Sequence, residues 1–314
     1  MAHIIKNIKP FIGHHCETTA TGTLKELEKI LTSKIMALQD ENGCWNVVRE
    51  GDKYFTIPAF HYYVPNFKST LWTLVFLADI QTDIENKSFL KPLEVITNHF
   101  FDKESGICSI GKSHFPIPCL NGNMLYLHNY FNSGNVSVVD SIVDFFAEYQ
   151  RFDDGDFKSP SSFPYRSNRS CYGKHTCYWG VIKLLKGLSF IPVNKRSENA
   201  KMLIKKCIDF VLLHEVCFSS HNLSQYIHPS IQSLSFPNMY HGDFLEILCL
   251  LKREQVNSIH MNRALDLLRE IMKPDSTWEI EHPLKNLIIP FGNKNYGNEF
   301  ITRRAKEVMD YYQK

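Results

Sequence analysis

The spacing of apolar residues predicts a chain of paired helices. In five segments, apolar side chains recur at three- and four-residue steps, and each segment leads through a polar turn to a second segment, which in the first four cases is apolar on most sides. The first pattern is typical of an amphipathic helix, and the second of a helix enclosed by other elements. The predicted pairs are 23–38 with 69–80, 90–101 with 119–131, 136–150 with 171–188, 199–214 with 238–251, and 260–272 with 299–312.

The pairs form a repeat whose polar turns lie roughly 50 to 65 residues apart. One helix pair cannot bury its own apolar face, so neighbouring pairs must stack on one another. Because the second helix of each pair is the more apolar one, the pattern favours a closed ring of inner and outer helices over an open superhelix. We therefore predict a single all-α domain over 1–314 that contains about five helix pairs.

The first polar turn carries a recognisable motif. Its sequence, Gln39-Asp40-Glu41-Asn42-Gly43-Cys44-Trp45, has the spacing Gln-x3-Gly-x-Trp. This resembles the signature of the squalene-cyclase and protein-prenyltransferase repeats, and the turns at Gln150 and Trp278 are similar in degenerate form. The resemblance implies an α/α toroid whose inner-helix starts line a central apolar cavity. It also implies an isoprenoid substrate, because family members cyclise polyprenoids or transfer prenyl groups to protein thiols.

Composition narrows the class of partner. The 314 residues carry a net charge of +2 with 44% hydrophobic residues, and no basic tract predicts a nucleic-acid partner. The nine cysteines have no paired spacing and no secretory leader precedes them, which favours the cytoplasm. No apolar run approaches about 18 residues, so we expect no transmembrane helix. Peripheral membrane contact through exposed aromatics and a partner chain both stay open.

Two carboxylates are candidate proton donors. The run Asp153-Asp154-Gly155-Asp156 resembles the acidic box of class II terpene cyclases, in which burial and neighbouring charges keep an acid protonated. Asp-Gly is also ordinary turn chemistry, so a purely structural turn is the alternative, with Asp156 the residue that the turn does not require. Asp243 opens an apolar segment where a carboxylate needs a partner. We expect it to share a helix face with Tyr240, three residues earlier.

A zinc site is a second hypothesis. Cys171 and His175 are four residues apart in the predicted helix 171–188, which would place both on one face. His175-Thr176-Cys177-Tyr178 resembles the run in which the prenyltransferase β-subunit places its last zinc-ligand histidine. An open zinc site would need two further ligands, and Cys171, His241 and Asp243 are the candidates to supply them. The chain lacks the family's Asp-x-Cys at the preceding inner helix, and a buried cysteine is more often simple core.

Further residues are candidates for holding a substrate. Asn121 and Asn123 precede a buried helix, where an amide either caps the helix or orients a polar substrate group. The long polar loop 219–237, with His221 and His228, is of the length expected of a lid. Aromatic rings in a cavity would stabilise carbocations, although core packing is the common role of a single ring. The predicted aromatic residues are Tyr62, Tyr63, Trp72, Phe163, Tyr165 and Trp278.

The leading hypothesis is acid-initiated cyclisation of an apolar isoprenoid. Asp156 or Asp243 would donate the proton, Tyr240 and His175 would assist, and no cofactor is expected. The first alternative is a zinc-dependent transferase of the prenyl-transfer type that uses Cys171, His175 and Asp243. The second is a non-catalytic repeat protein that binds a partner or a lipid. The predicted substrate-binding residues are Asn121, Asn123, Tyr62, Trp72, Tyr172, His241 and Trp278.

Overall fold

The computed structural model describes residues 20–64, 66–85, 87–110, 115–156, 158–165, 169–173, 175–292 and 296–313, and it is mainly helical. The helices are α1 (Ala20–Met36), α2 (Thr70–Asp79), α3 (Leu90–Phe100), α4 (Pro118–Tyr130), α5 (Val136–Tyr149), α6 (Arg169–Tyr172), α7 (Tyr178–Ser189), α8 (Glu198–Leu213), α9 (Phe244–Arg253), α10 (Asn262–Glu270) and α11 (Glu299–Tyr312). Short strands β1 (Phe101–Asp102), β2 (Ile107–Ile110) and β3 (Phe115–Pro116) form one antiparallel sheet, and β4 (Phe218–Ser219) pairs with β5 (Asn222–Tyr226).

The predicted helix pairs are confirmed in position. They correspond to α1 with α2, α3 with α4, α5 with α7, α8 with α9, and α10 with α11. Every residue of α2 is buried, and so is nearly all of α4, α7 and α9, whereas α1, α3, α5 and α8 keep an exposed face. The last helix, α11, is amphipathic like its predecessor. None of the described helices combines the length and apolar character that a bilayer crossing requires.

The predicted helix 171–188 is wrong in its first third. The short α6 ends at Tyr172 and α7 begins only at Tyr178, so Cys171 and His175 do not share a helix face. The reason is a long-range contact. His175 forms an isolated antiparallel bridge with Asp154, and the Thr176 hydroxyl donates to the Asp153 carbonyl oxygen at 2.6 Å. These contacts hold the segment extended against the preceding turn.

The predicted helix 238–251 also starts later than expected. Asp243 is the N-cap of α9, and its Oδ1 accepts a hydrogen bond from the Glu246 amide at 2.8 Å. An N-cap residue has non-helical backbone angles, so the chain before it is not helical. Tyr240 therefore lies outside α9, and the predicted Tyr240–Asp243 helix face is wrong.

The first and last turns of the repeat are built alike. The Trp45 amide donates to the Thr70 hydroxyl at 3.1 Å, and that hydroxyl donates back to the Trp45 carbonyl oxygen at 3.1 Å. Trp278 and Thr302 make the same two contacts at 3.0 and 3.3 Å. Each indole N–H also donates to a carbonyl oxygen of the preceding helix at 2.8 Å. Each tryptophan thus fixes its turn onto the second helix of its pair.

Helices α4 and α7 approach each other closely because glycine stands at their crossing. A Cβ placed on Gly122 would lie 2.3 Å from the Lys183 carbonyl carbon, and one on Gly187 would lie 2.5 Å from the Gly122 carbonyl oxygen. Both distances are far inside van der Waals contact, so a side chain at either position would push the helices apart.

Charged side chains meet where α2, α7, α9 and α11 converge. The Lys183 ammonium donates to both Glu246 carboxylate oxygens at 2.9 and 2.8 Å, and Lys186 lies 2.7 Å from Asp79 and 3.0 Å from Glu246. All four side chains are 5% exposed or less. Burial alone would raise the pKa of Asp79, but Lys186 and Arg304 hold it below its ordinary value. We call these five residues the interior network.

The interior network also joins the two ends of the repeat. The Arg304 guanidinium on α11 donates to the Asp79 carbonyl oxygen on α2 at 3.2 Å, and its other amino group donates to the Asn238 side-chain oxygen at 3.0 Å. The Asn238 backbone N–H in turn donates to the Asp79 carboxylate at 2.9 Å. The first and last helix pairs are therefore in direct contact through hydrogen-bonded charges.

Candidate functional site

Three metal-ligating side chains come together at the start of α7. Asp154 lies in the turn after α5, His175 between α6 and α7, and His221 in the loop that joins β4 to β5. One ring nitrogen of each histidine and a carboxylate oxygen lie within 4.8 Å of one another. His175 Nδ1 is 3.6 Å from Asp154 Oδ1, and His221 Nε2 is 3.2 Å from Oδ2. Imidazole nitrogen and carboxylate oxygen are donors that zinc accepts in proteins.

Local contacts fix the turn that carries Asp154. Gly155 has φ +92°, and a Cβ there would lie 2.6 Å from Cε1 of His175, so the ring can approach the turn only because residue 155 is glycine. The Arg151 guanidinium forms a two-pronged ion pair with Asp153, including an Nε–Oδ1 contact of 2.6 Å. The turn is therefore held by Arg151, which precedes it, and is in close contact with His175 on its other side.

His214 approaches the same carboxylate from the buried side. Its Nδ1 lies 3.0 Å from the Phe218 carbonyl oxygen, which can only accept, so Nδ1 carries the proton. Its Nε2 is buried, has no hydrogen-bond partner among the described residues, and lies 3.7 Å from Asp154 Oδ2. Burial lowers the pKa of His214 although Asp154 acts to raise it. The neutral ring thus directs an unpaired lone pair towards a carboxylate.

The cluster, which we call the rim site, has a buried side and an open side. The side chains of His175 and His221 are 53% and 59% exposed, whereas Asp154 is 13% and His214 2% exposed. The Ser220 hydroxyl donates to Asp154. No lysine or arginine of the described ranges forms a salt bridge with Asp154. His175 Nδ1 and His221 Nε2 also lie 3.2 and 2.9 Å from the Asp154 carbonyl oxygen, which can only accept, so in this structure both nitrogens donate to it. The rim site therefore combines three histidine rings with a carboxylate that has no lysine or arginine among its described ion-pair partners.

A narrow depression adjoins the rim site. Its wall includes Gln150, Cys171, Tyr172, His175 and Thr176, so one candidate metal ligand faces both features. A second depression of about 130 Å³ lies elsewhere, between Leu234, Ile271 and Glu281. Tyr172 is the one predicted substrate-binding residue among the described residues that line these two depressions.

Of the predicted zinc ligands, the structure places only His175 in the rim site. Cys171 interacts with Cys177, and this contact together with burial raises the pKa of the Cys171 thiol. Asp243 is 2% exposed, and its Oδ2 accepts from the Ser235 amide at 2.7 Å while Oδ1 caps α9. Burial raises the pKa of Asp243 despite these donors. The three residues do not form one coordination group.

The remaining predicted residues have separate surroundings. Asp156 is exposed on the turn beside the rim site. The Asn121 side chain accepts from the Cys108 amide at 2.8 Å and donates to the Cys108 carbonyl oxygen at 2.7 Å, so it holds the second turn in place. Asn123 donates to the Met239 carbonyl oxygen at 3.3 Å, and its own Oδ1 is buried without a partner.

Several predicted aromatic residues share one cluster. Trp72 lies 5.9 Å from Tyr240 and 5.2 Å from Tyr63, measured between ring centroids. Tyr240 contacts His241 at 4.2 Å, and His241 stacks on Trp179 at 4.9 Å. Burial, with the nearby His228, lowers the pKa of His241 to about 4. These rings contact one another at the starts of α2 and α7.

The other aromatic residues named from the sequence lie apart from that cluster. Tyr62 packs against His99 at 5.0 Å, and Trp278 is buried in the last turn. Tyr172 is buried with its ring edge-on to Tyr165 at 6.0 Å. Phe163 is 40% exposed.

Sequence reasoning identified part of the rim site. It singled out the Asp153–Asp156 run, His175 and the loop that carries His221, but it did not predict that they lie close together. The sequence did not indicate a role for His214, because a polar residue at the end of an amphipathic helix is common. No family model, curated protein or solved structure matches the chain.

Proposed function

We propose that the protein is a metal-dependent enzyme whose centre is the rim site, with zinc as the ion. The convergence of Asp154, His175 and His221 carries this proposal, because their donor atoms lie within 4.8 Å of one another. The unpaired Nε2 of His214 and the carboxylate without a cationic partner add to it. Two neighbouring electron-rich groups in a partly buried place are stabilised by a bound cation.

The residues present fit a catalytic zinc ion. Catalytic zinc sites use three protein ligands and keep one position open, and the exposed sides of His175 and His221 leave that position facing solvent. A zinc ion held there would supply Lewis-acid chemistry for hydrolysis or group transfer. Asp154 would compensate its charge, and Ser220 would orient the carboxylate.

We further propose that the five helix pairs close into an α/α toroid. The contact between Arg304 of the last pair and Asp79 of the first supports a closed ring. The rim site would then lie where outer helices lead into inner ones. Of the functions considered from the sequence, we favour the zinc-dependent one. Its ligands would be Asp154, His175 and His221 instead of Cys171, His175 and Asp243.

Acid-initiated cyclisation stays a prediction with less support. Asp156 is exposed, so it lacks the burial that such a catalytic acid requires. Asp243 has the raised pKa that an acid needs, yet both its oxygens accept backbone hydrogen bonds. A cyclic product from a linear polyprenyl substrate, lost in Asp243→Asn, would revive it.

Zinc binding to the purified full chain tests the proposal. We expect one zinc per chain by elemental analysis, and affinity reduced by more than about 100-fold in His175→Gln and in His221→Gln. Loss of outer-shell partners alone costs 10- to 100-fold in metal affinity, so loss of a ligand should exceed it. His228→Gln is the matched control, because His228 lies in the same loop but bonds Ser230 at 2.7 Å. Equal zinc affinity in all three variants would refute the site.

A further inference from the structure

Two half-buried thiols are in contact beside the start of α7. Cys171 belongs to the short α6, and Cys177 is the residue directly before α7. Their side chains interact as hydrogen-bond partners, which places the two sulfur atoms close together. Both residues are free thiols in this structure. A disulfide needs two cysteines whose sulfur atoms can meet without movement of the backbone, and this pair meets that requirement.

The other described cysteines lack this arrangement. Cys119 and Cys249 are half-buried residues, but their sulfur atoms lie deeper than those of Cys171 and Cys177. Cys119 lies near the pair without a hydrogen bond to either thiol. The remaining four are buried, where a dissolved oxidant has little access; they are Cys44, Cys108, Cys207 and Cys217. Contact and access therefore coincide only in the Cys171–Cys177 pair of the described ranges.

The backbone next to each thiol of the pair is held in place. The carbonyl oxygen of Tyr172, which follows Cys171, accepts a hydrogen bond from the Ser159 hydroxyl at 2.6 Å. The hydroxyl of Thr176, which precedes Cys177, donates to a carbonyl oxygen of the preceding turn at 2.6 Å. Because the flanking backbone is already ordered, closing a bond between the sulfur atoms costs little further conformational entropy.

A metal ion is a less suitable occupant of this thiol pair. Two thiolates supply only two of the four ligands that a structural zinc ion takes. Within the described ranges, no group of three or more metal-ligating side chains includes Cys171 or Cys177. The chemistry that two adjacent thiols complete without a further ligand is oxidation to a disulfide.

We propose that Cys171 and Cys177 form a reversible, redox-sensitive disulfide whose oxidant is glutathione disulfide. One protein thiolate would attack a sulfur of glutathione disulfide, form a mixed disulfide and release the first glutathione. The other protein thiolate would then attack the protein sulfur of the mixed disulfide, form the Cys171–Cys177 bond and release the second glutathione. Two protein thiols are oxidised, one glutathione disulfide is reduced to two thiols, and these take up the two protons.

The bond would lie beside the rim site without being part of it. His175 stands between the two cysteines in the chain, so the disulfide would close a loop that contains a proposed zinc ligand. Neither cysteine belongs to the ligand set of Asp154, His175 and His221. The proposal therefore goes beyond the proposed function and does not depend on it.

The test equilibrates the metal-free full chain in buffers with increasing ratios of glutathione disulfide to glutathione. Free thiols are then blocked with N-ethylmaleimide, and peptides are mapped by mass spectrometry without reduction. We expect the wild type to convert to one intramolecular disulfide, between Cys171 and Cys177, and dithiothreitol to reverse it completely. Cys171→Ser should lose the intramolecular bond entirely, with Cys177 stopping at the mixed disulfide with glutathione.

Cys249→Ser is the matched control, because Cys249 is also half-buried but has no interacting thiol among the described residues. It should form the same disulfide at the same glutathione ratio as the wild type, and circular dichroism checks that each variant is folded. Two results would overturn the proposal: both cysteines blocked by N-ethylmaleimide at every ratio in the folded wild type, or a disulfide that joins Cys119 to one of them. Failure of the wild type to bind zinc would refute the proposed function and leave this result unaffected.

Discussion

The interior network and the rim site are both charged clusters built from distant parts of the chain, but only the first is balanced. In the interior network, Lys183, Lys186 and Arg304 face Asp79 and Glu246 at short distances, and little solvent reaches them. In the rim site, Asp154 is surrounded by histidines and a serine and has no lysine or arginine among its described ion-pair partners.

The difference separates a structural role from a functional one. A buried ion pair with its hydrogen bonds complete fixes the packing of the helices that carry it, and removing one partner is costly. A cluster of metal-ligating side chains without a lysine or arginine partner can still bind a cation. The contrast predicts that substitutions in the interior network change stability, whereas the function proposed for the rim site predicts that substitutions there change zinc affinity.

The largest effect is expected in the interior network. Glu246→Gln would leave Lys183 without its carboxylate partner and Lys186 with one fewer, so we expect the free energy of unfolding to fall by about 3–5 kcal/mol. Urea denaturation measures it. Glu307→Gln is the control, because its ion pair with Lys252 is partly exposed and should contribute no more than about 1 kcal/mol. A similar, small loss in both variants would contradict the assignment.

The rim site should respond in metal affinity instead. Asp154→Asn removes the only carboxylate of the proposed ligand set, and we expect zinc affinity to fall by more than about 100-fold. Asp156→Asn, two residues away in the same turn and exposed, should bind zinc like the wild type. If Asp156→Asn lost zinc while Asp154→Asn kept it, the carboxylate ligand would be Asp156 and not Asp154.

A smaller effect is expected from the hydroxyl behind the carboxylate. Ser220 donates to Asp154 and orients it, so Ser220→Ala should weaken zinc binding about 10-fold, the lower end of the range for outer-shell partners. Ser224→Ala, in the neighbouring strand β5, is the matched control. An unchanged zinc affinity in Ser220→Ala would mean that the hydroxyl has no part in orienting the carboxylate.

The smallest expected effect is a difference between the two clusters in how their contributions to the free energy of unfolding depend on pH. The pKa of His214 is lowered in the folded protein, so between that value and its ordinary pKa of about 6.5 the unfolded chain binds more protons. Its contribution to the free energy of unfolding is therefore lost as pH falls below about 6.5. The pKa of Asp79 is also lowered, so its contribution is lost only below about pH 4.

Urea denaturation of the metal-free protein between pH 7.5 and 4.5 checks this order. We expect His214→Gln to show a shallower decline of stability over that range than the wild type. Asp79→Asn should be less stable throughout, with the wild-type slope. A wild-type slope in His214→Gln would show that folding does not lower the pKa of His214.

The helix pairs were predictable because their information is local. The three- and four-residue spacing of apolar side chains places α1 to α5 and α8 within a few residues, and the uniform apolar run places α7. The error at Cys171–Cys177 arose because the Thr176 and His175 contacts to the Asp153–Asp154 turn replace helix hydrogen bonds, and those contacts span 21 residues or more. No spacing rule within a segment detects them.

The clusters required contacts between residues far apart in the sequence. Lys183 and Lys186 were evident as the charges of an apolar helix, but Asp79 lies 107 residues from Lys186. In the rim site, His221 is 67 residues from Asp154. Residue type identified several members of each cluster, and only the fold determined which of them meet.

The most direct test of the account is zinc X-ray absorption spectroscopy on the metal-loaded full chain. We predict a zinc ion with nitrogen and oxygen ligands at about 2.0–2.2 Å and no sulfur ligand. That result would match Asp154, His175 and His221. A zinc–sulfur distance of about 2.3 Å would contradict the account and return Cys171 or Cys177 to the coordination sphere. Failure to bind zinc at all would leave the rim site without the role proposed for it.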